Sequence, residues 1–596
     1  MIILTNNLNS DYHIVTNTNA SECERFAATE LAKYLYKSTL CSIPYFSDKC
    51  KKRGKEILIG KNSRYDYNEQ IKNAYDKIYN DLNSLSDEAF IIREIDHEDI
   101  IIVGNSPRAT LYAVYHFLEL AINFKCFTFD CEKWDEKEII MFDSLDIVFD
   151  FPFEYREAYF TDAWNSSFAS KNYLNSNLAD LSYKLGGKTK WYNFHHSFSD
   201  LINPNEYFDS HPEYFSMIDG KRIKEHTELC LSNPDVLNIV VKKVKQWIKD
   251  NPECKVFSVA QDEWMGHFTR MACECENCKK IDEENGSQSG SIISFVNKVA
   301  KEINKEYPDK LIHTFAYQFS RKAPTNVIPD KNVIVRLCNI ECSWSNPLRV
   351  SASKNPGGRD DLFLQDLHSW SNMTNRLYIW DYAVNYRNYL LPFPNIRSMA
   401  DNIKLYKEYN VKGILMEGNF SQGGKGYLDE LKSYITARLL KNPNYDLNEL
   451  IKEFCNAYYE DASPYIIEYL NLWEDAVKPY ELWLYDDSDH PMFTDENLDK
   501  AGKILNQALQ AVKNKKEIFK RVNNVFLSYY YAKITRLPLD TKYRNEMIDD
   551  FIMQVRTQGI TELFERTSLD FSINVLKNSR YAKERKDWYS LYYIMK

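Results

Sequence analysis

The side chains best suited to chemistry follow short apolar segments in the middle of the chain. They are carboxyl groups, imidazoles, one amide and aromatic rings, and in chain order they are His195, His196, Asp262, Glu263, Tyr317, Asn339, Glu341, Trp344, Trp380, Asp381, Tyr382 and Glu417. Carboxyl groups beside aromatic platforms suit glycoside hydrolysis, in which one acid protonates the leaving oxygen and a second group stabilises the cationic carbon. The sequence shows no serine elbow, no H-E-x-x-H metal pair and no P-loop, which would indicate other chemistries.

The adjacent carboxyl groups of Asp262 and Glu263 are the sharpest feature of this set. On a sugar with a 2-acetamido group, Glu263 can act as acid and base. Asp262 can then hold the acetamide, whose oxygen attacks the anomeric carbon in place of a protein nucleophile. The other ten residues are predicted to bind substrate, with His195 and His196 bonding to sugar hydroxyls. Taken singly, each residue has an ordinary alternative as a helix cap or a surface ion pair.

A second group of reactive side chains is the C-x-C-x2-C motif of Cys273, Cys275 and Cys278. Thiols at this spacing can bind zinc, but a structural zinc site normally takes four ligands. Cys254 or His267 could supply the fourth. The alternative is three reduced thiols in a loop near the acidic pair. A zinc ion here is expected to be structural. The predicted chemistry requires no cofactor, because carboxyl groups suffice for it.

The elements that must position these residues alternate between strand and helix. The candidate strands share short apolar runs and lie at 155–160, 190–195, 228–232, 255–260, 311–318, 332–340, 376–382 and 411–417. Eight such steps predict a (β/α)8 TIM barrel, whose active site lies at the C-terminal ends of the strands. A doubly wound open sheet is the alternative, but the glycine-rich nucleotide fingerprint is missing.

The predicted fold class is α/β, with the catalytic barrel at residues 148–426 between two further domains. Residues 1–147 mix short strands with amphipathic helices, and they predict an α/β accessory domain without a catalytic cluster. Residues 427–596 carry apolar residues at helical spacing throughout, and they predict an α-helical domain.

Composition excludes several classes of partner. The 596 residues include 75 Lys and Arg against 85 Asp and Glu, a net charge of −10, with no long basic block. Such a chain is a poor candidate for binding nucleic acid or an anionic membrane. The predicted partner is an oligosaccharide or a glycoprotein glycan, with no membrane insertion. The first residues lack the features of a signal peptide, which predicts a cytoplasmic protein, or a secreted or surface-attached one if a signal has been removed.

Several motifs together resemble a known family. They are HPEYFSMIDGKR (211–222), LCLSNP (229–234), CECENC (273–278), YIWDYAVNYRNYLLPFPN (378–395) and VKGILMEGN (411–419). In order and spacing they are similar to the bacterial domain of unknown function 4838. Part of that group is classed as glycoside hydrolase family 163, the endo-β-N-acetylglucosaminidases that act on complex N-glycans. Residues 1–147 resemble the accessory domain that precedes the barrel in β-hexosaminidases and α-glucuronidases.

The resemblance implies a (β/α)8 barrel and retaining, substrate-assisted hydrolysis, with Glu263 as acid/base and Asp262 as the acetamide-orienting residue. Many family members carry Asn-Asp where this chain has Asp262–Glu263. The Asp-Glu pair of this chain is closer to the arrangement in hexosaminidases. Two other functions stay open. One is an exo-acting β-hexosaminidase or α-glucuronidase-like enzyme, and the other is a non-catalytic glycan-binding protein.

Overall fold

The chain folds into two compact units. In this computed structural model the described residues are 1–66, 68–263, 272–420, 423, 425–539 and 541–580, so that Trp264, beside the acidic pair, and the candidate zinc ligand His267 lie outside them. The first unit comprises Met1–Glu157, Asp162–Lys188 and Ala437–Asn442, and the second comprises Ala158–Thr161, Thr189–Thr436 and Pro443–Lys596. The division into three domains at residues 147 and 426 stays a prediction.

The first unit is a mixed α/β structure. Its strands are β1 (Ile2–Asn6), β2 (Tyr12–Thr16), β3 (Tyr45–Ser47), β4 (Lys55–Ile59), β5 (Phe90–Ile95), β6 (Asp99–Gly104), β7 (Lys125–Thr128), β8 (Cys131–Lys133), β9 (Ile139–Phe142) and β10 (Asp146–Phe149). Its first helices are α1 (Glu22–Thr39), α2 (Glu69–Leu82), α3 (Pro107–Ile122), α4 (Thr161–Trp164) and α5 (Ser166–Lys171). Six strands form one sheet in the order β10-β5-β6-β4-β2-β3.

Local sequence explains how these elements begin and pack. Ser21 caps α1, because its hydroxyl accepts a hydrogen bond from Glu24 N (3.1 Å) while the Glu24 carboxylate accepts one from Ser21 N (2.8 Å). Helix α2 packs its apolar stripe, including Ile71 and Ile78, against Leu58 of the sheet.

The second unit contains a parallel sheet of seven strands, except that the first three residues of β11 belong to the first unit. Its strands are β11 (Tyr155–Tyr159), β12 (Trp191–Tyr192), β15 (Val256–Ser258), β16 (Leu311–Ala316), β17 (Val333–Cys338), β18 (Leu377–Tyr382) and β19 (Gly413–Glu417), with the hairpin β13 (Met217–Ile218) and β14 (Lys221–Arg222) outside it. The helices between them are α6 (Phe198–Leu201), α7 (Pro204–Tyr207), α8 (Pro234–Asp250), α9 (Glu276–Asn285), α10 (Ser289–Asn304), α11 (Leu348–Lys354), α12 (Arg359–Met373) and α13 (Ile396–Glu408). The alternation of strand and helix predicted for this region is confirmed.

The strand order is β11-β19-β18-β17-β16-β15-β12, so the first strand in sequence lies beside the last. Seven of the eight predicted strands form. Among the described residues the sheet is not closed by a pairing of β11 with β12, so a complete (β/α)8 barrel stays a prediction. Because parallel strands place their C-terminal ends at one edge, the residues that follow them still converge.

The missing strand is the segment predicted at 228–232, and that prediction is wrong. Its backbone bonds locally instead: Ser216 N donates to Glu228 O and Cys230 N donates to Tyr214 O, both over 2.8 Å. Glu228 and Cys230 are both buried, and their side chains have specific partners described below.

Helices complete the second unit after β19. They are α14 (Asp429–Lys441), whose last turn belongs to the first unit, α15 (Leu447–Tyr459), α16 (Ser463–Val477), α17 (Asp495–Ala511), α18 (Lys516–Arg536), α19 (Lys542–Thr557) and α20 (Leu569–Asn578). The helical character predicted for this region is confirmed in its described part. Over the described residues, no helix combines the length and the apolar character that a bilayer crossing requires.

Candidate active site

One cavity of about 460 Å³ lies at the C-terminal ends of the parallel strands in the second unit. Its lining residues are His195, His196, Ser199, Asp262, Glu263, Phe315, Tyr317, Cys338, Ile340, Trp380, Tyr382, Tyr386, Glu417, Tyr485, Glu565 and Arg566. Eight of the twelve residues singled out from the sequence are among them. The size is that of a small-molecule or sugar site.

Glu263 lies where the loop after β15 enters the cavity, with about a third of its side chain exposed. The Tyr317 hydroxyl donates a hydrogen bond to Glu263 Oε1 over 2.5 Å. His196 Nε2 lies 3.9 Å from Glu263 Oε2, while His196 Nδ1 is 2.6 Å from Gln261 O. Since a carbonyl only accepts, Nδ1 carries a proton and holds the ring in place. Glu263 is therefore oriented from two sides and still reachable by a ligand.

Asp262 is buried beside it and is held by backbone groups. Its Oδ2 accepts a hydrogen bond from Ser199 N over 2.8 Å, and its own N–H donates to Glu228 Oε2 over 3.1 Å. Burial raises the pKa of Asp262 to about 6, against the opposing effects of the His196 charge and the Ser199 bonds. Burial and the charge of Asp262 also raise the pKa of Glu228 well above its usual value.

Glu417 ends β19 and supplies a third carboxyl group. Trp380 Nε1 donates to Glu417 Oε2 over 2.6 Å. Burial, and next the charge of Glu565, raise the pKa of Glu417 to about 8. Glu417 is therefore mostly protonated at neutral pH and can donate a proton or a hydrogen bond into the cavity.

Aromatic side chains form much of the cavity wall. They are Phe315, Tyr317, Trp380, Tyr382, Tyr386 and Tyr485. The rings of Phe315 and Trp380 lie 5.9 Å apart between centroids, and Arg336 packs behind Trp380, its guanidinium carbon 5.3 Å from the ring centroid. Such a wall offers faces for the C–H groups of a sugar ring.

Four of the residues predicted to bind substrate do not line this cavity. Asp381 is buried and bonds to Asn339 Nδ2 (2.9 Å) and to the Tyr406 hydroxyl of α13 (2.7 Å), with Trp344 Nε1 at 3.4 Å. Glu341 pairs with Arg321 over 3.1 Å and lines a separate cavity. Asp381 and Asn339 point away from the cavity because side chains alternate along a strand. Trp380 and Tyr382 line the cavity, so Asp381 between them points to the helices, and Asn339 does the same between Cys338 and Ile340.

Eight lining residues were missed from the sequence: Ser199, Phe315, Cys338, Ile340, Tyr386, Tyr485, Glu565 and Arg566. Phe315 could have been found, because it alternates with Tyr317 at the end of β16. Tyr485, Glu565 and Arg566 come from connections between the C-terminal helices, where no local pattern marks them.

The three cysteines of the C-x-C-x2-C motif lie outside the cavity and form a cluster with Cys230. The four sulfur atoms lie within 4.8 Å of one another. Cys254, suggested from the sequence as a fourth ligand, is not in the cluster.

A family model described as a domain of unknown function, DUF4838, matches residues 127–471, more than half of the chain. The chain belongs to the DUF4838 family. This confirms the family resemblance of its motifs, while the endo-β-N-acetylglucosaminidase specificity of family 163 stays a prediction. A second model, described as the N-terminus of glycosyl hydrolase family 67, matches residues 5–117 of this DUF4838 protein. No curated protein is significantly similar in sequence.

Solved structures similar to this DUF4838 protein include glycoside hydrolases. One is a family GH115 4-O-methyl-α-glucuronidase with specificity for decorated arabinogalactans; it is 10% identical, with 95% of this chain and 81% of that chain covered and a TM-score of 0.53. Another is a family 89 glycoside hydrolase from Clostridium perfringens in complex with GlcNAc-α-1,4-galactose; it is 10% identical, with 85% and 70% covered and a TM-score of 0.47. The similarity to the GH115 enzyme shows that this chain shares a fold found in glycoside hydrolases.

Proposed function

We propose that this protein is a retaining glycoside hydrolase, an endo-β-N-acetylglucosaminidase that cleaves GlcNAc-containing glycans such as N-glycans by substrate assistance. The observation that carries the proposal is the joint placement of Asp262 and Glu263 in one aromatic-walled cavity. The Asp262 carboxylate is held by a backbone N–H, as the residue that orients the acetamide must be. The Glu263 carboxylate is reachable by a ligand, as the acid/base must be.

Glu263 protonates the glycosidic oxygen and later removes a proton from the attacking water. Its hydrogen bond from Tyr317 and its proximity to His196 fix its orientation. Asp262 accepts a hydrogen bond from the acetamide N–H. It also stabilises the positive charge that develops as the acetamide oxygen attacks the anomeric carbon. One Asp262 oxygen is already held by Ser199 N, so the carboxylate needs no reorientation when the sugar binds.

A second candidate rests on Glu417. Its raised pKa and its place in the same cavity make it suitable as a general acid, with Glu263 as a protein nucleophile. This arrangement requires the two carboxyl groups about 5–5.5 Å apart across the anomeric carbon, and it does not need a 2-acetamido group. It fits an exo-acting, α-glucuronidase-like enzyme, in which Arg566 of the cavity wall would contact the sugar carboxylate.

The deciding experiment compares matched aryl glycosides with glucose, N-acetylglucosamine and glucuronic acid, together with an N-glycoprotein whose products are weighed by mass spectrometry. Release of whole glycans and selectivity for the N-acetylglucosamine substrate support the first candidate. Equal rates on glucose and N-acetylglucosamine substrates, or activity on the glucuronide alone, overturn it in favour of the second. Binding without turnover of any substrate overturns both and identifies a glycan-binding protein.

A further inference from the structure

The four-cysteine cluster is built from two parts of the chain. Cys230 lies in the segment that was expected to be a strand, Cys273 and Cys275 lie just before α9, and Cys278 lies in its first turn. All four side chains are buried. Cys230 Sγ lies 3.6 Å from Cys275 Sγ and 4.0 Å from Cys278 Sγ.

These distances fit a metal site and do not fit disulfides. A disulfide holds its sulfur atoms at about 2.05 Å. Four thiolates around a zinc ion at about 2.3 Å in tetrahedral geometry lie about 3.8 Å apart. The measured separations bracket that value, and the remaining pairs stay within 4.8 Å. The four sulfur atoms are therefore already close to the spacing that a tetrahedral zinc site requires.

The groups around the sulfur atoms also suit thiolates. Met217 N donates to Cys273 Sγ over 3.3 Å, and the Arg222 guanidinium lies 3.5 Å from the same sulfur. The Ser232 hydroxyl lies 3.1 Å from Cys278 Sγ and 3.5 Å from Cys275 Sγ. Cys275 immediately precedes α9, where the positive end of the helix dipole stabilises negative charge. Four thiolates and one Zn²⁺ leave a charge of −2, which the Arg222 guanidinium and the Met217 N–H partly offset.

We propose that Cys230, Cys273, Cys275 and Cys278 bind one structural zinc ion. All four tetrahedral positions are taken by protein, so no position is open for substrate or water. The ion joins the segment at Cys230 to the start of α9. Glu228, two residues before Cys230, accepts a hydrogen bond from the Asp262 N–H. The zinc site therefore also fixes the position of one residue that holds Asp262 in place.

The test is elemental analysis of the purified full chain together with its variants. The wild type is expected to contain about one zinc per chain, and Cys230→Ser and Cys278→Ser to lose most of it. Cys254→Ser is the matched control, since Cys254 is also buried and lies outside the cluster, and it is expected to keep its zinc. Chelation of the wild type is expected to lower its melting temperature.

Replacement of zinc by Co²⁺ in the wild type keeps the proposal testable even if the serine variants fail to fold. A tetrahedral tetrathiolate site gives strong thiolate-to-cobalt charge-transfer bands and visible d–d bands. Wild-type protein without zinc, with all four thiols alkylated in the native state, would overturn the proposal. So would bound iron in place of zinc, or loss of zinc from Cys254→Ser but not from Cys230→Ser. None of these readouts depends on glycosidase activity.

Discussion

Trp380 Nε1 donates a hydrogen bond to Glu417 Oε2 over 2.6 Å, which fixes a partly buried carboxyl group against the aromatic wall of the cavity. Desolvation, and next the neighbouring charge of Glu565, raise the pKa of Glu417 to about 8. The cavity therefore combines an acid that keeps its proton at neutral pH with the carboxyl groups of Asp262 and Glu263.

Glu417→Gln is expected to flatten the dependence of stability on pH. The folded-state pKa of about 8 lies above the ordinary value of 4.5, so the folded state binds more protons between these values. The stability of the wild type then falls as pH rises from about 5 to 8, by up to about 1.4 kcal/mol per pH unit from this group. Gln has no such titration and keeps an oxygen for Trp380. Melting temperatures of both proteins between pH 5 and 9 check this; parallel curves would contradict it.

Glu263→Gln is expected to lower kcat on unactivated glycans by about 10²–10⁴-fold, because the leaving oxygen loses its proton donor. Aryl glycosides with good leaving groups need less protonation and are expected to lose less in the first step. Glu341→Gln is the control, since Glu341 pairs with Arg321 outside the cavity. Steady-state kinetics on both substrate types check the prediction. Small and equal losses on both would remove Glu263 from the acid role.

Asp262→Asn is expected to weaken both catalysis and inhibition by a thiazoline analogue of GlcNAc, which resembles the oxazoline-like intermediate. The assisting group must be charged, and the pKa of Asp262 is about 6. Wild-type activity should therefore fall as the pH drops through about 6. Retention of thiazoline inhibition in the variant, or comparable wild-type rates on glucose and N-acetylglucosamine substrates, would sink the assisted mechanism.

Glu119→Ala is expected to destabilise the first unit by about 3–5 kcal/mol, because it removes the carboxylate that pairs with two buried cations. Glu119 Oε1 lies 2.5 Å from Arg438 Nη1, and Glu119 Oε2 lies 2.7 Å from Lys441 Nζ. Burial already lowers the pKa of Lys441 to about 7, so the loss should grow as pH falls below 7. Thermal unfolding at pH 6 and 8 checks this. Glu496→Ala, in an exposed pair with Lys500, is the control and is expected to leave the melting temperature nearly unchanged, because water screens the pair.

The sequence predicted the parts of the fold that follow from periodicity. Short buried strands and amphipathic helices can be recognised from the local pattern of apolar residues. The positions of His196, Glu263 and Glu417 after strands predict that they line the cavity. Side chains alternate between the two faces of β18, so assigning each residue to one face would have excluded Asp381 from the predicted cavity residues.

The remaining features depend on tertiary contacts. Cys230 lies in a segment with the apolar character of a strand, and only its position beside Cys275 reveals its partners. Tyr485 and Arg566 reach the cavity from connections far along the chain, so no spacing rule links them to the strands.

The first unit is assembled from three separate stretches of chain, the last being Ala437–Asn442. This short stretch carries Arg438 and Lys441, the cations that neutralise Glu119. During synthesis on the ribosome, the seven-strand sheet emerges before this stretch does. Completion of the first unit must therefore wait for translation of more than two thirds of the polypeptide, and an N-terminal fragment ending at Lys188 would lack both of the cations, Arg438 and Lys441, that pair with Glu119.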